Sequence, residues 1–189
     1  MIIGICGAMG SGKSTLADAI SYELNDCVAD FYVASFSYPI KDIVADLFGL
    51  PAKQLTFAGD LDYEKYKQLE HPCGKTYREL LQIVGTDFFR SIHPKVWIDA
   101  MRLLVSDGDD YVISDVRFQN ELDFIKEMGG LSIGLARNIQ HNSHSSENVL
   151  AVVNACDYTI KNQSFTDVQL VEKGLEIVEE WLCNQKNEA

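Results

Sequence analysis

The stretch GICGAMGSGKSTL (4–16) sets Gly7, Gly12, Lys13 and Ser14 in the spacing G-x-x-x-x-G-K-[ST]. Backbone freed of side chains at Gly7, Gly10 and Gly12 can wrap anionic oxygens with its NH groups, and a following helix adds the favourable end of its dipole. In such a loop Lys13 reaches the β and γ phosphates of a nucleoside triphosphate. Ser14 offers its hydroxyl to Mg²⁺, and Thr15 continues the nucleotide-binding run. The plainer alternative is a glycine-rich turn joining a strand to a helix. The apolar run IIGIC before the loop and the helical run after it supply the context in which the pattern binds phosphate.

A second run, YVISDVRFQNE (111–121), pairs a carboxylate with a guanidinium. A strand over Tyr111 to Ser114 delivers Asp115 to the carboxyl end of a sheet, where open α/β sheets bind ligands. A carboxylate there holds Mg²⁺, usually through its water shell, and Arg117 lies close enough to touch phosphate or Asp115 itself. The competing reading makes Asp115 the cap of the following helix and Arg117 a surface charge.

These groups need a frame to hold them. Runs rich in β-branched and aromatic residues occur at IIGIC, FYVASF, YVIS, LSIGLA and YTIK, separated by segments of helical periodicity. That alternation predicts a parallel sheet covered by helices. YPIKDIVADLFG starts near Pro39 and stops at Gly49, as a helix does. TYRELLQIVGTDFFR, PKVWIDAMRLLVS and NELDFIKEMGG read as three more. The final helix carries Val168, Val171, Leu175, Val178 and Leu182 three and four apart, an amphipathic stripe. Residues 49–75 read as an insertion.

A chain of 189 residues with 47% hydrophobic and 23% charged residues fits one globular domain, 1–189. No apolar run approaches the roughly 20 residues of a membrane span, and the start lacks the features of a signal peptide, so a cytoplasmic protein is expected. Five scattered cysteines without a C-x-x-C pair agree with free thiols in a reducing compartment. The net charge of −12 repels nucleic acid and anionic membrane, so the expected partner is a small molecule. An anionic small molecule must then be gripped by a few placed cations, and the chain has only five arginines: Arg78, Arg90, Arg102, Arg117 and Arg137.

Several users of a phosphate loop are disfavoured. A GTPase needs an N-K-x-D base-reading motif, which is absent, and the D-x-x-G match at Asp46 to Gly49 ends an amphipathic helix. The chain is short for a motor or transporter ATPase. Transfer to a small acceptor is the favoured chemistry.

Joined with the phosphate loop, YPIKD (38–42), YRELLQIVGTDFFR (77–90), VWIDAM (96–101), ISDVRFQNELDFIKEMGG (113–130), HSSEN (144–148) and DYTIKN (157–162) make the chain resemble the bacteriophage deoxynucleoside monophosphate kinase family. The resemblance runs in order from Ile2 to about Asn162 and is weakest through 49–75. It implies an α/β P-loop kinase fold: a five-stranded parallel sheet sandwiched by helices, an acceptor-binding helical subregion (49–106) and a short lid (137–150). It implies phosphoryl transfer from MgATP to a (deoxy)nucleoside monophosphate, with ATP and Mg²⁺ as the bound species, and it makes a homodimer an expectation.

The resemblance also distributes the side chains. Arg78 and Arg90 flank the G-T-D block, where a bidentate guanidinium suits a monophosphate. Lys41 is a further acceptor-side cation. Arg137 follows a strand, heads the lid and is placed to stabilise the transferring group. It is the one arginine after Gly130, where many nucleotide kinase lids carry several, so Arg117 is a second candidate for that work. Thr86 and Asp87 contact base or sugar, or else mark a helix break capped by the aspartate. Trp97 and Phe36 wall a base pocket or belong to the core. His141, His144 and Glu147 have ligand-like spacing but lack a fourth ligand, and His144 and Glu147 match the family's lid, which puts Glu147 on the substrate side. Asn162 contacts adenine by resemblance, or simply forms a turn.

Two other classes compete. One is a related small-acceptor P-loop kinase acting on dephospho-coenzyme A or phosphomevalonate, which the G-T-D-x-x-R block disfavours. The other is a nucleotide-binding regulatory protein without transfer activity, against which Asp115, Arg117, Arg78 and Arg90 speak.

Overall fold

The computed structural model of the protein describes residues 1–27, 30–49, 63–105, 108–137 and 144–188, the side chains of 26–27, 63–64, 144–148 and 186–188 excepted. In chain order the elements are β1 (Ile2–Gly7), α1 (Lys13–Cys27), β2 (Phe31–Ala34), α2 (Tyr38–Phe48), α3 (Tyr63–Gln68), β3 (Glu70–His71), β4 (Lys75–Thr76) and α4 (Tyr77–Gln82). A π-helical turn (Ile83–Phe88) leads into α5 (Phe89–Ile92) and α6 (Val96–Val105). Then come β5 (Asp110–Val116), α7 (Gln119–Glu127), β6 (Leu131–Leu135), α8 (His144–Asn154), β7 (Tyr158–Ile160) and α9 (Asp167–Glu188).

The chain divides into two compact units, Met1–Ser35 with Val105–Ala189, and Phe36–Leu104. In the first, five strands form one parallel sheet in the order β2-β5-β1-β6-β7. β1 is central and buried along its whole length, which is why IIGICG reads as an uninterrupted apolar run and not as an alternating one. Ile3, Ile5, Ile133, Leu135 and Ile160 pack on one face against Leu16, Ala17 and Ile20 of α1 and Leu170, Ile177 and Val178 of α9. The expected stripe of α9 packs through Val178, with Leu175 and Leu182 partly buried against the same cluster; Leu170 and Ile177 widen it, and Val168, 66% exposed, falls outside it.

The other face receives α7 and α8, and it does so through missing side chains. A Cβ on Gly4 would come within 2.8 Å of Ile125 of α7, and one on Gly134 within 2.6 Å of the Val153 carbonyl oxygen of α8. The helices lie that close because the strands present bare backbone.

In the second unit α2 ends as the sequence predicts, with Gly49 in the left-handed region at φ 73° and its NH bonded to the Ala45 carbonyl. The two-stranded antiparallel ribbon of β3 and β4 is not foreseen in the sequence; its strands are too short to show periodicity. Thr76 then starts α4 with a capping box, its hydroxyl accepting from the Glu79 NH while Glu79 accepts from the Thr76 NH. The Tyr77 hydroxyl donates to the Phe48 carbonyl at 2.8 Å, fastening α4 to the end of α2.

Among the described residues no helix is long and apolar enough to cross a membrane. Cys6, Cys73, Cys156 and Cys183 carry free thiols. Because the Gly134 contact is with rigid backbone, Gly134→Ala is expected to cost about 1–3 kcal/mol and lower the thermal midpoint by several degrees. An unchanged melting curve would show that α8 can move away from the sheet without penalty.

Candidate active site

The loop between β1 and α1 is closed by its own backbone: the Ser11 NH donates to the Ala8 carbonyl at 3.2 Å. Gly10 and Gly12 have φ of 73° and 96°, values that side chains other than glycine's adopt at a strain. A side chain at Gly12 would also drive into Leu170 of α9, whose Cδ2 stands 2.5 Å from the position of a Cβ. Ser14 and Thr15 are exposed in the first turn of α1, beside the unsatisfied NH groups that a helix start presents.

Lys13 is the unusual member. It is only 8% exposed, and its Nζ donates to the Ala8 carbonyl at 2.6 Å. Burial drives its pKa down to about 8; the nearby Arg117 charge pushes the same way, while Asp115 opposes the shift. The hydrogen bond with the Cys156 thiol, and burial after it, hold the Cys6 thiol far above its ordinary value.

Asp115 stands in β5, which pairs directly with β1, and so shares the strand-end region with the loop. The Ser35 hydroxyl, just beyond β2, donates to Asp115 Oδ2 at 2.6 Å. Ser35 is buried and 80 residues away in the chain, and no local pattern marks it. Its one signal is a small hydroxyl residue directly after a strand. Asp115 does not cap α7: Glu121, itself buried, accepts from the NH groups of Arg117 and Phe118 at 2.8 and 3.1 Å. Arg117 is exposed, and Arg137, two residues past β6, is half-buried.

Asn162 opens a turn, its backbone carbonyl accepting from the Phe165 NH at 3.4 Å, as one of the two readings expects. It is 1% exposed, and its Nδ2 donates to the Ser11 carbonyl at 2.8 Å, a bond to the phosphate loop that neither reading foresees.

In the second unit, Arg78 lies in the first turn of α4 and Arg90 in α5, both half-buried. The G-T-D block is neither a helix break nor a cap. Gly85, Thr86 and Asp87 fall inside the π-helical turn, with Thr86 and Asp87 exposed. Such turns widen a helix locally and are frequent at functional sites. Trp97 fixes this one: its indole NH donates to the Gly85 carbonyl at 2.8 Å, and Phe89 meets its ring edge-on at 5.3 Å. At 3% exposure Trp97 belongs to the core, as does Phe36, and neither forms an open pocket wall. Lys41 is buried too, its ammonium 5.1 Å from the centre of the Tyr38 ring. His141 and the side chains of His144 and Glu147 lie outside the described residues.

The loop thus offers an anion site with a lysine whose charge is in play near neutrality. An arriving triphosphate favours the ammonium form, so affinity is full below about pH 8 and weakens, toward tenfold per pH unit, as pH rises through that value. The folded chain also binds fewer protons at Lys13 than the unfolded one between about 8 and 10.5, so this group adds stability as pH rises through that window. Titration calorimetry with ATP on either side of pH 8 checks the first statement; a flat profile would mean that Lys13 stays charged throughout.

The model of the family described as deoxynucleotide monophosphate kinase matches residues 70–173. A protein of Acanthamoeba polyphaga mimivirus named putative deoxynucleotide monophosphate kinase is 34% identical over 182 residues, covering 86% of this chain and 88% of its own. The deoxynucleoside-5'-monophosphate kinase of Escherichia phage T5 is 26% identical, covering 70% and 74%. Among solved structures, shikimate kinase from Aquifex aeolicus superposes over 97% of this chain and 99% of its own, with a TM-score of 0.50 at 19% identity, a likeness of fold. The chain belongs to the deoxynucleotide monophosphate kinase family.

Proposed function

We propose that the protein transfers the terminal phosphoryl group of ATP to the phosphate of a deoxynucleoside monophosphate, giving ADP and the diphosphate. The observation that carries this reading is the buried Lys13 in its glycine loop, with Asp115 and Arg117 acting on its charge, in a chain of this family. Gly7, Gly10, Gly12, Lys13, Ser14 and Thr15 would hold the donor's phosphates. Ser14 and Asp115 fit Mg²⁺: one exposed hydroxyl at the helix start and one carboxylate whose orientation Ser35 fixes, both hard oxygen donors. When bound, the ion neutralises charge on the β and γ phosphates.

The acceptor needs no general base, because a phosphate monoester with a second pKa near 6 is already largely dianionic at neutral pH. One of its oxygens attacks the γ phosphorus, the bond from that phosphorus to the β–γ bridging oxygen breaks, and ADP leaves. The side chains' work is alignment and neutralisation of charge. Arg78 and Arg90 of the helical unit would grip the acceptor phosphate, with Lys41, Thr86, Asp87 and Glu147 as further acceptor-side contacts, and Arg117 and Arg137 would face the transferring group. With a net charge of −12, the protein is suited to a small acceptor held by local cations in the cytoplasm, that of a host if the gene is viral.

Deoxynucleoside and ribonucleoside monophosphates are assayed one by one for acceptor-dependent ADP release from MgATP. At least one deoxynucleotide is expected to accelerate release well above the rate with water; none doing so would end this reading. Lys13→Ala should lower kcat by about 10²–10³-fold without loss of fold. Arg78→Ala and Arg90→Ala should each lower kcat/KM for the acceptor by about tenfold or more, as loss of a charge-assisted hydrogen bond requires. Unchanged acceptor kinetics in both would take the two arginines out of the site.

A further inference from the structure

Asn162 is the first polar side chain buried past the end of β7, and it bonds to backbone 151 residues away. Its Nδ2 holds the Ser11 carbonyl, while its own Oδ1 and the Ser11 hydroxyl are both buried without a hydrogen-bond partner among the described residues. An apolar side chain here would strand the buried Ser11 carbonyl, whereas asparagine satisfies that carbonyl and strands its own Oδ1, so one unpaired acceptor is exchanged for another at nearly even cost. Stability alone therefore gives little reason for an asparagine.

The geometry of the peptide unit gives one. The Ser11–Gly12 peptide is trans and planar, so its NH points opposite to its carbonyl. Pinning the Ser11 carbonyl inward on Asn162 fixes the Gly12 NH outward. Nothing in the loop's own chain does this: Gly12 sits at a φ of 96°, where glycine passes between conformations freely, and a flip of this one peptide would present a carbonyl oxygen in place of a donor. The loop's other inward carbonyl, Ala8, is already occupied by the Ser11 NH and Lys13 Nζ. Leu170, against Gly12, supports the loop from behind but has no polar atom with which to set the peptide's direction.

We infer that Asn162 is a positioning residue for phosphoryl-donor binding: it locks the Ser11–Gly12 peptide so that the Gly12 NH is offered to the donor's phosphate. This rests on the reading of the loop as an ATP site, and wild-type ATP binding serves as the reference that separates the two. Failure of the wild type to bind ATP would count against the function proposed above; equal binding by wild type and variants would count against the lock.

The test pairs two variants branched at Cγ as asparagine is. Asn162→Leu removes the donor. Asn162→Asp sets a carboxylate against the Ser11 carbonyl, which repels it until the acid is protonated and can donate in its turn. Asn162→Leu is expected to weaken ATP binding at least tenfold, measured by calorimetry, with acceptor KM unchanged and the thermal midpoint of the nucleotide-free protein within a few degrees of wild type. Asn162→Asp should bind equally poorly at neutral pH and regain affinity, as a ratio to wild type at the same pH, as pH falls through the titration of the buried acid. ATP affinity within twofold of wild type in both variants overturns the assignment. So does loss of the folded state in both, or an Asn162→Asp ratio that does not change with pH, since either returns Asn162 to a structural part.

Discussion

A primary ammonium held almost out of water is the constraint around which the strand ends are built. Lys13 cannot be charged there without compensation, because moving a cation from water into a protein interior costs several kcal/mol unless partners replace the solvent. The compensation is partial: one loop carbonyl, the field of Asp115, and against them the field of Arg117. An anion is the missing partner. The same arithmetic explains why a chain with so large an acidic excess keeps cations at the ends of its central strands, where the acidic surface would otherwise repel the ligand.

Two kinds of support act on this centre. One is electrostatic and runs through Asp115, whose carboxylate the Ser35 hydroxyl orients from the neighbouring edge strand. The other is a matter of backbone direction. A glycine-rich loop binds anions only while its carbonyls face away, and glycine does nothing to keep them there. Inward partners for the Ala8 and Ser11 carbonyls do that work, and they come from α1 and from the segment after β7.

The parts legible in the sequence were those written locally. The phosphate loop is a single run in which glycines, lysine and hydroxyls follow one another, and the parallel sheet shows in alternating apolar strands and amphipathic helices. Asp115 was legible from its place at a strand end. What escaped were pairings across long stretches of chain, such as Ser35 with Asp115 and Asn162 with Ser11, where each residue has an ordinary local setting. Trp97 escaped for a different reason: an indole in the first turn of a helix reads equally as a ring for stacking or as core, and only its burial and its hydrogen bond to Gly85 decide. The π-helical turn has no sequence signature of its own, since one extra residue in a turn leaves the apolar spacing nearly intact.

The strand order has a consequence for how the chain is assembled. β2 and β5 are parallel neighbours, yet the whole helical unit lies between them in the sequence, so it serves as the crossover of an ordinary β-α-β step. Closing so long a connection costs only about 2 kcal/mol more than closing one a tenth as long, because the entropic penalty grows with the logarithm of length. The sheet is thus nearly indifferent to the size of what is strung between these strands. Residues could be added to or removed from that crossover at little thermodynamic expense, leaving the donor loop, which is completed by β1, α1 and the carboxyl-terminal segments, outside the exchange.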